Sequence, residues 1–442
     1  MIWNNKRVKF ILAILIVIIA RLAFSLVNDF WHPDEDVKQI YLIGLEFFTS
    51  GKYPFFGTDI PYTHGQIPGA LQGLFVSALW FIVKIPEAPH IFSNIIISIS
   101  LAFLAWYISK RIPNFNKVIL YFWIFFSSWS LVYFTLIMNT AQMVPGAVLF
   151  WIGIFETYPK IKIGVINSKL AAYFIGFGML WAFQMHASWV LTIPFTLFGV
   201  YSWIKMNNMK GITVHLGFFT LGLLTTGSLI IPTLVKFGLS NQKGIGLSQL
   251  IVLNLDHIGS FFTYLTKYLA SSCFDTTRFW GATTTERLDF LKHYWLASPF
   301  SVYVTIFGAA QVMILIYNLF LRRKASIEWK QVRLLAVSGY GLMCLSSLIS
   351  IASPSTQGTI ILYPLVTIFA AYCFSELLHK QWVKRTTIAV FISAIIMFIG
   401  IGMNKYEKYS LYKNREAIEK ALDKMDYRIL GERRYRNEKV GD

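Results

Sequence analysis

The feature that most constrains the fold is a series of long apolar runs that recurs from Phe10 to about residue 403. A run of about 20 apolar residues matches the hydrocarbon thickness of a bilayer, and a helix satisfies its own backbone hydrogen bonds there. Composition agrees, because 55% of the residues are hydrophobic and only 14% are charged. The sequence therefore predicts an all-α polytopic membrane protein built as one helical unit.

The net charge of +18 raises the alternative of a nucleic-acid partner. The lysines and arginines fall mostly in short segments between apolar runs, where they set the orientation of membrane helices. We therefore expect membrane lipids and no nucleic acid as partners. The three cysteines show no spacing typical of a zinc or redox site, so we expect no structural disulfide.

The basic residues also indicate the topology. Lys6, Arg7 and Lys9 precede the first apolar run and place the N-terminus in the cytoplasm, and the run itself is expected to be retained. If residues 67–83 crossed the membrane, every later basic segment would be inverted. If they form a juxtamembrane or half-inserted helix, nineteen basic residues lie inside and three lie in short outside segments. This distribution favours the second reading.

That reading predicts about eleven transmembrane helices. The expected spans are 10–27, 91–108, 118–137, 140–157, 170–186, 189–204, 212–232, 298–321, 334–352, 359–378 and 386–403. Residues 1–403 form the membrane domain, with a first outer loop at 28–90 and a long outer loop at 233–297. Residues 404–442 form a short soluble C-terminal tail with 11 Lys/Arg and 8 Asp/Glu. We expect a multi-pass protein of a bacterial plasma membrane, with its functional residues on the outer, periplasmic face.

The outer loop Asp29–Gln66 holds the densest carboxylate cluster of the membrane domain, including Asp34 and Glu35 directly after Pro33. Proline suits the first turn of a helix, and acidic side chains there face the positive end of its dipole. The apolar residues that follow recur at helical spacing and predict a helix that lies along the membrane surface. A carboxylate held there can accept the proton of a hydroxyl nucleophile while a phosphate leaves from a sugar. Simple capping of the helix is the alternative for these acids.

Other candidate residues lie nearby in the predicted topology. Arg21 is two-thirds along the first span, where it either snorkels to the interface or pairs with Asp34 or a lipid phosphate. Asp59 is a further carboxylate of the loop, and could act as the base in place of Asp34. His64 and Gln66 lie in a segment rich in proline and glycine, which suits binding of a phosphate or a sugar hydroxyl, although a plain turn would look the same.

The long outer loop alternates basic residues with aromatic ones, among them Lys267 and Arg278. Basic groups among interfacial aromatics suit an anionic lipid headgroup. A helix lying on the membrane surface would show the same composition.

The order of these features resembles the start of the GT-C glycosyltransferases. A first span is followed by Asp34-Glu35 opening an amphipathic helix, then by Gly51-Lys52-Tyr53-Pro54, a Pro61-Tyr62 loop and an apolar helix. The pattern is most similar to the protein O-mannosyltransferase group that includes the lipid A aminoarabinose transferase. His32-Pro33-Asp34-Glu35 also resembles the opening of the GPI-anchor mannosyltransferases, and residues 357–365 resemble a degraded Arg-Tyr-Leu-Leu-Pro helix of the first group.

The resemblance implies a GT-C fold and an inverting glycosyltransferase. Asp34 would be the catalytic base with Glu35 beside it, and Arg21, Asp59, His64, Gln66, Lys267 and Arg278 would be substrate-binding residues. The donor would be a polyprenyl-phosphate sugar, of mannose or another hexose or pentose, and the acceptor a hydroxyl of a glycan, lipid or protein.

Two departures from the pattern matter. His64-Gly65-Gln66-Ile67-Pro68 replaces a Glu-Lys-Pro-Pro segment, so a phosphate-binding lysine is missing. Asn139 and Gln142 lie where the pattern has an aspartate, so no metal ligand set is predicted, and a divalent metal cofactor would lack its second carboxylate.

The alternative function is a transporter or flippase of lipid-linked saccharides. Transport favours ionisable residues deep in several spans and an internal repeat. In this sequence few charges fall within spans and the acids gather in one outer loop, which favours the enzyme.

Overall fold

The protein is a bundle of helices with one small sheet. The computed structural model describes residues 6–28, 36–60, 65–206, 209–238, 251–275, 277–281, 283–322, 326–351, 353, 355–409 and 414–431. In the first half the helices are α1 (Lys6–Asn28), α2 (Asp36–Ser50), α3 (Leu71–Ser77), α4 (Ala88–Arg111), α5 (Lys117–Phe126), α6 (Asn139–Gln142), α7 (Val144–Thr157), α8 (Ser168–Phe183), α9 (Ile193–Met206), α10 (Met209–Gly227) and α11 (Ile231–Phe237). In the second half they are α12 (Phe261–Ala270), α13 (Thr277–Trp280), α14 (Thr284–His293), α15 (Ser298–Ile316), α16 (Ile327–Leu348), α17 (Tyr363–Leu377), α18 (Gln381–Tyr409) and α19 (Arg415–Asp423).

Five helical stretches of the described chain are long and apolar enough to cross a membrane, which fits an integral membrane protein. They are Ala88–Arg111, Ala187–Met206, Ser298–Leu321, Ile360–Leu377 and Gln381–Glu407. A sixth is α10 with α11, two helices that meet at an angle of 68°. The expected count of eleven stays a prediction, because several expected spans are divided into shorter apolar helices.

Residues 118–137 illustrate such a division. Helix α5 ends at Phe126, and Ser127 has extended backbone angles. A π-helical turn, Trp129–Tyr133, follows. Such turns within helices occur frequently at functional sites, because they free backbone groups and redirect side chains.

Residues 67–83, which are expected not to cross the membrane fully, form only a short helical stretch in the structure. Helix α3 and the 3₁₀ turn Ala78–Phe81 together span Leu71–Phe81. Eleven helical residues rise only about 16 Å, roughly half of a hydrocarbon core. Helices of expected spans are also this short, for example Lys117–Phe126, so the half-inserted position of 67–83 stays a prediction.

A two-stranded antiparallel sheet precedes α3, and the all-α prediction missed it. Strand β1 (Phe56–Asp59) pairs with β2 (Gln66–Pro68), with Asp59 opposite Gln66. This part of the sequence is rich in proline and glycine, which predicts a loop. Hydrogen bonding to β2 holds β1 in the extended conformation.

Two glycines let α8 and α10 pack at close range. A Cβ on Gly176 would lie 2.1 Å from the carbonyl oxygen of Phe219, and one on Gly222 would lie 2.2 Å from that of Tyr173. No side chain fits between the two backbones at these points. Small residues commonly allow membrane helices to approach in this way.

The bundle has two distinct ends. We call one the α2 end, where α1 ends and α2 begins, and the other the Arg111 end. At the latter, Arg111 joins α4 to α16 and α7: its Nη1 lies 2.9 Å from a Glu328 oxygen and its Nη2 3.6 Å from Glu156. The Tyr107 hydroxyl accepts from Arg111 at 2.8 Å and donates to Glu156 at 2.7 Å. We call Tyr107, Arg111, Glu156 and Glu328 the Arg111 cluster.

Part of the long outer loop enters the bundle from the α2 end. His257 contacts the Ser347 carbonyl oxygen near the end of α16, at 2.7 Å, whereas the Tyr268 hydroxyl donates to Ala336 eleven residues deeper along α16, at 3.0 Å. The Phe274 N–H then donates to Gln311 in the middle of α15. Helix α12 therefore descends into the bundle, and the chain turns back near residue 274.

Candidate active site

The proposed catalytic acids lie between two well-anchored helix ends. Asp34 and Glu35 themselves, like His64, lie outside the described residues. At the end of α1, Asn28 donates from Nδ2 to the Val132 carbonyl oxygen at 2.6 Å. The first described side chain of α2, Val37, is only 2% exposed. The acidic segment is thus joined on both sides to buried residues of the α2 end.

Asp59 is a buried carboxylate held by two carboxamides. Gln39 donates to its Oδ2 at 2.8 Å and Gln66 donates to its Oδ1 at 2.9 Å. The Asp59 N–H also donates to Gln39 Oε1, at 3.0 Å. Both carboxylate oxygens therefore have fixed directions, and Gln39 ties Asp59 to the first turn of α2, next to the acidic segment.

A polar chain leads from this carboxylate toward the π-helical turn. Asn139 donates from Nδ2 to the hydroxyl of Thr58, the neighbour of Asp59, at 3.3 Å. Thr140 and Tyr133 share a hydrogen bond of 2.5 Å between their hydroxyls. All of these side chains are buried. Together they form a buried layer of polar groups at the α2 end.

Arg21 reaches the same turn from α1. Its side chain is fully buried, and Nη1 donates to the Phe125 carbonyl oxygen at 2.6 Å and to the Ser130 hydroxyl at 3.1 Å. Its Nε and Nη2 have no hydrogen-bond partner within the described part of the chain. The side chain therefore does not snorkel to the interface, and it keeps donors that a phosphate or water can use.

Arg278 approaches from the other side of the turn. Its guanidinium carbon lies 5.2 Å from the centre of the Trp129 ring, a cation–π distance. Trp129 is buried and packs on Phe279 at 5.4 Å between ring centres. Arg278 itself is exposed. It thus combines a fixed stacking surface with an open face that an anion can reach.

Two ionisable groups adjoin Arg278. Burial, together with the positive charge of Arg278, lowers the pKa of the Lys267 ammonium. Burial raises the pKa of the Asp275 carboxyl, although its hydrogen bonds with Thr277 and the charges of Arg278 and Arg287 lower it in part. Sequence reasoning missed Asp275, although it precedes Arg278 by only three residues.

Among the residues of the α2 end that the structure describes, the side chains do not form a ligand set for a divalent metal ion. No group of three His, Cys, Asp or Glu side chains that could hold a metal occurs among the described residues. Asn139 and Gln142 carry carboxamides where the family pattern has an aspartate, and Asn139 is already bonded to Thr58. Asp59 has both oxygens occupied by carboxamide donors. We therefore derive no chemistry from a metal.

The structure brings together some of the predicted residues and separates others. Asp59 and Gln66 are in direct contact, and Arg21 and Arg278 meet the residues of one turn. Lys267 lies beside Arg278 but stacks on Tyr264 of its own helix, at 5.8 Å. Gln39, Trp129 and Tyr133 are residues of the site that sequence reasoning missed. For Trp129 the aromatic spacing of four residues to Tyr133 was the available signal.

No family model and no curated protein matches the sequence. One solved structure is similar: the archaeal oligosaccharyltransferase AglB from Archaeoglobus fulgidus, determined in complex with an inhibitory peptide and a dolichol-phosphate. The TM-score is 0.38 at 10% identity, over 90% of this chain and 56% of that chain. This chain thus spans little more than half the length of that protein. At this TM-score the similarity assigns neither a fold family nor an activity to the chain.

Proposed function

We propose that the protein is a membrane glycosyltransferase of GT-C type, which moves a sugar from a polyprenyl-phosphate donor to an acceptor hydroxyl at the outer face. One observation carries the proposal. The segment with Asp34 and Glu35 is joined at both ends to a buried layer that also receives Asp59, Arg21 and Arg278. A base, orienting polar groups and cations for a phosphate are the parts that this reaction needs.

In the proposed reaction the acceptor oxygen attacks the anomeric carbon of the donor. Asp34 accepts the proton of the hydroxyl as the new carbon–oxygen bond forms. The bond between the anomeric carbon and the phosphate oxygen breaks, and the lipid phosphate leaves with the electron pair. Attack opposite to the leaving group inverts the anomeric centre. Neutral hydroxyls have pKa values far above 7 and are weak nucleophiles. Removal of the proton in the transition state of the attack is therefore the step at which a base lowers the barrier.

The remaining residues serve the leaving phosphate and the sugar. Arg278 binds the phosphate through its in-plane N–H groups, since charge-assisted hydrogen bonds from a guanidinium suit phosphate oxygens. Lys267 adds positive charge nearby. Arg21 holds the turn that carries Trp129 and offers Nε and Nη2 to the phosphate or to water. Glu35, Asp59, His64 and Gln66 orient sugar or acceptor hydroxyls.

Asp34→Asn tests the proposal most directly. The change keeps shape and hydrogen-bonding capacity and removes basicity, so donor binding should persist while turnover falls by about 10²–10⁴-fold. The measurement is transfer of radiolabelled sugar from polyprenyl-phosphate donors by purified protein in nanodiscs, with a panel of hexose and pentose donors. Glu35→Gln is the matched control, and should reduce turnover less.

Wild-type turnover by the Asp34→Asn protein would assign the base to Glu35 or Asp59 instead. If wild-type protein transferred no sugar but moved a lipid-linked saccharide between leaflets of a vesicle, the glycosyltransferase proposal would fail and transport would replace it. Mass spectrometry of cellular polyprenyl-phosphate sugars and surface glycans, with and without the gene, would identify sugar and acceptor.

A further inference from the structure

Helix α19 buries one apolar face in a core that also contains residues of α2, and the Tyr427–Leu430 turn lies against both helices. Ile418, Ala421 and Leu422 follow the i, i+3, i+4 spacing of a helical stripe and are at most 1% exposed. They share a core with Ile40 and Tyr41 of α2. The opposite face of α19 is charged and exposed. This helix was expected to be part of a solvated tail, and the structure instead buries one side of it.

The chain after α19 turns back onto the same core. Met425 adopts a left-handed backbone conformation, φ 51°, which reverses the chain. The Asp426 N–H donates to the Ala421 carbonyl oxygen at 3.0 Å, and the Asp426 side chain caps the following 3₁₀ turn, Tyr427–Leu430. Tyr427, Ile429 and Leu430 pack against the core shared with α2. A helix and a turn thus contact α2 as one unit.

An ion pair fixes where this unit sits. Arg415 Nε lies 2.7 Å from Glu87 Oε1, at the start of α4, and the hydrogen bond with Glu87, together with the charge of Glu87, raises the pKa of Arg415. The Glu87 side chain is only 14% exposed. The Tyr41 hydroxyl of α2 donates to the neighbouring Pro86 carbonyl oxygen at 2.8 Å. Residues 86 and 87 therefore anchor both α19 and α2.

Adjacent residues of α2 contact two different parts of the structure, Asp59 on one side and the core shared with α19 on the other. Gln39 holds both the backbone and the carboxylate of Asp59. Ile40 and Tyr41, one and two positions later, belong to the core shared with α19. A shift of α2 away from α19 would move Gln39, and with it the start of the helix. Displacements of about 1 Å at a catalytic group can cost 10²-fold in rate.

We propose that α19 and the Tyr427–Leu430 turn act as a brace for α2, with Arg415, Ile418 and Leu422 as positioning residues for Gln39 and, through it, for the Asp59 carboxylate; the catalytic part rests on the proposed function. None of the three touches the reacting atoms in this proposal. They act by holding α2, and hence Gln39 and Asp59, in place.

Leu422→Ala in the full-length protein tests the brace. Hydrogen–deuterium exchange of peptides covering residues 36–50 should accelerate by roughly tenfold, because local opening of α2 becomes easier. Turnover should fall by roughly 10-fold or more, while the Michaelis constant for the donor changes less than about twofold, since Arg278 lies on the other side of the site. Lys420→Ala, on the exposed face of α19, is the matched control and should match wild type in all three.

The ion pair supplies a second, reversible test. Arg415→Glu should show the same split between turnover and Michaelis constant, and Arg415→Glu combined with Glu87→Arg should recover most of the lost turnover.

If hydrogen–deuterium exchange of residues 36–50 were unchanged in Leu422→Ala, the proposal that α19 braces α2 would be wrong. Faster exchange with unchanged turnover would overturn the positioning role alone. If wild-type protein transferred no sugar, the proposed function would fail while the exchange result still decided whether the brace exists.

Discussion

Among the single residues of the site, Arg21 and Arg278 are arginines in opposite environments, and this difference sets what each can do. Arg21 is fully buried and donates to the Phe125 carbonyl oxygen of α5 and to the Ser130 hydroxyl of the turn it supports. Arg278 is exposed and stacked on a buried tryptophan. Stacking fixes one face of the guanidinium and leaves its edge donors open. A substrate anion can therefore reach Arg278 without any rearrangement of the bundle.

Arg278→Ala should raise the apparent Michaelis constant for a polyprenyl-phosphate sugar by roughly tenfold or more, which corresponds to the loss of a charge-assisted hydrogen bond. Turnover at saturating donor should fall less. Steady-state kinetics with varied donor concentration give both values. Lys292→Ala removes another exposed cation of the same outer segment, and should leave both values near wild type. An unchanged Michaelis constant in Arg278→Ala would assign the phosphate to Lys267, to Arg21 or to Lys243, a lysine of the long outer loop outside the described residues.

The environment of Asp275 leads to a prediction about how the stability of the protein depends on pH. Its pKa is higher in the folded protein than in the unfolded chain, chiefly because of burial. The folded state therefore binds the proton more tightly, and stability declines as pH rises from the unfolded to the folded pKa. Asp275→Asn removes this loss, so the variant should have the higher melting temperature at pH 7–8, and the difference should shrink as pH approaches about 4. A variant that melts below wild type at pH 8 would show that attraction to Arg278 and Arg287 outweighs burial.

At the scale of elements, the Arg111 cluster stands apart from the candidate site. It joins α4, α7 and α16 at the opposite end of the bundle. The side chains of Arg111 and Glu156 have no exposed surface, and Glu156 also accepts from the Gly164 N–H at 2.8 Å. Arg111 Nη1 and Nη2, the Tyr107 hydroxyl and Glu156 all have hydrogen-bond partners, and only Arg111 Nε lacks one within the described part of the cluster. We therefore assign it to stability rather than to chemistry.

Glu156→Ala should lower the free energy of unfolding by about 3–5 kcal/mol, because it leaves part of the Arg111 charge and the Tyr107 hydroxyl without a buried partner. Titration with a denaturing detergent in mixed micelles measures the change. Glu376→Ala removes the acid of the half-exposed pair with Arg322, and should cost less than about 1 kcal/mol. Equal effects of the two changes would contradict the structural role of the cluster.

Elements of the site could be predicted only in part from sequence. Periodicity predicted α2, and the charge count predicted the short helix at residues 67–83. The two-stranded sheet, the turn at Trp129 and the docking of α19 were missed. The environment of Trp129 and the docking of α19 depend on partners distant in sequence: Arg278 meets Trp129 only because α12 enters the bundle and returns. The sheet pairs nearby residues, Asp59 with Gln66, but its proline- and glycine-rich sequence favours a loop. Local patterns report which face of a helix is apolar, and not which surface will cover it.

At the scale of the whole molecule, the two ends differ in charge as well as in structure. The basic residues of the short segments collect at the Arg111 end, whereas the carboxamide layer and the acidic segment lie at the α2 end. Helix α4 runs between the two ends and crosses the thickness of the bundle. The charge bias predicts that the Arg111 end faces the cytoplasm.

Cysteine labelling tests this orientation. Lys110→Cys, at the Arg111 end, should react with a membrane-impermeant maleimide only after cells are permeabilised, and Lys52→Cys, beside α2, should react in intact cells; both lysines are exposed. The native Cys273, Cys344 and Cys373 are buried, so the background should be low. The reverse pattern would invert the topology. Labelling of both from one side would contradict the position of residues 67–83 as well.

The contact between α19 and α2 also sets an order of events during synthesis. Roughly 365 residues separate the two helices, so a ribosome that adds about 5–20 residues per second makes α19 roughly 20–70 s after α2. Throughout that interval the membrane helices can insert while α2 lacks its brace. A chain interrupted before α19 would then be an inserted but inert bundle, and transfer would begin only once this late helix had emerged and crossed back to the first part of the chain.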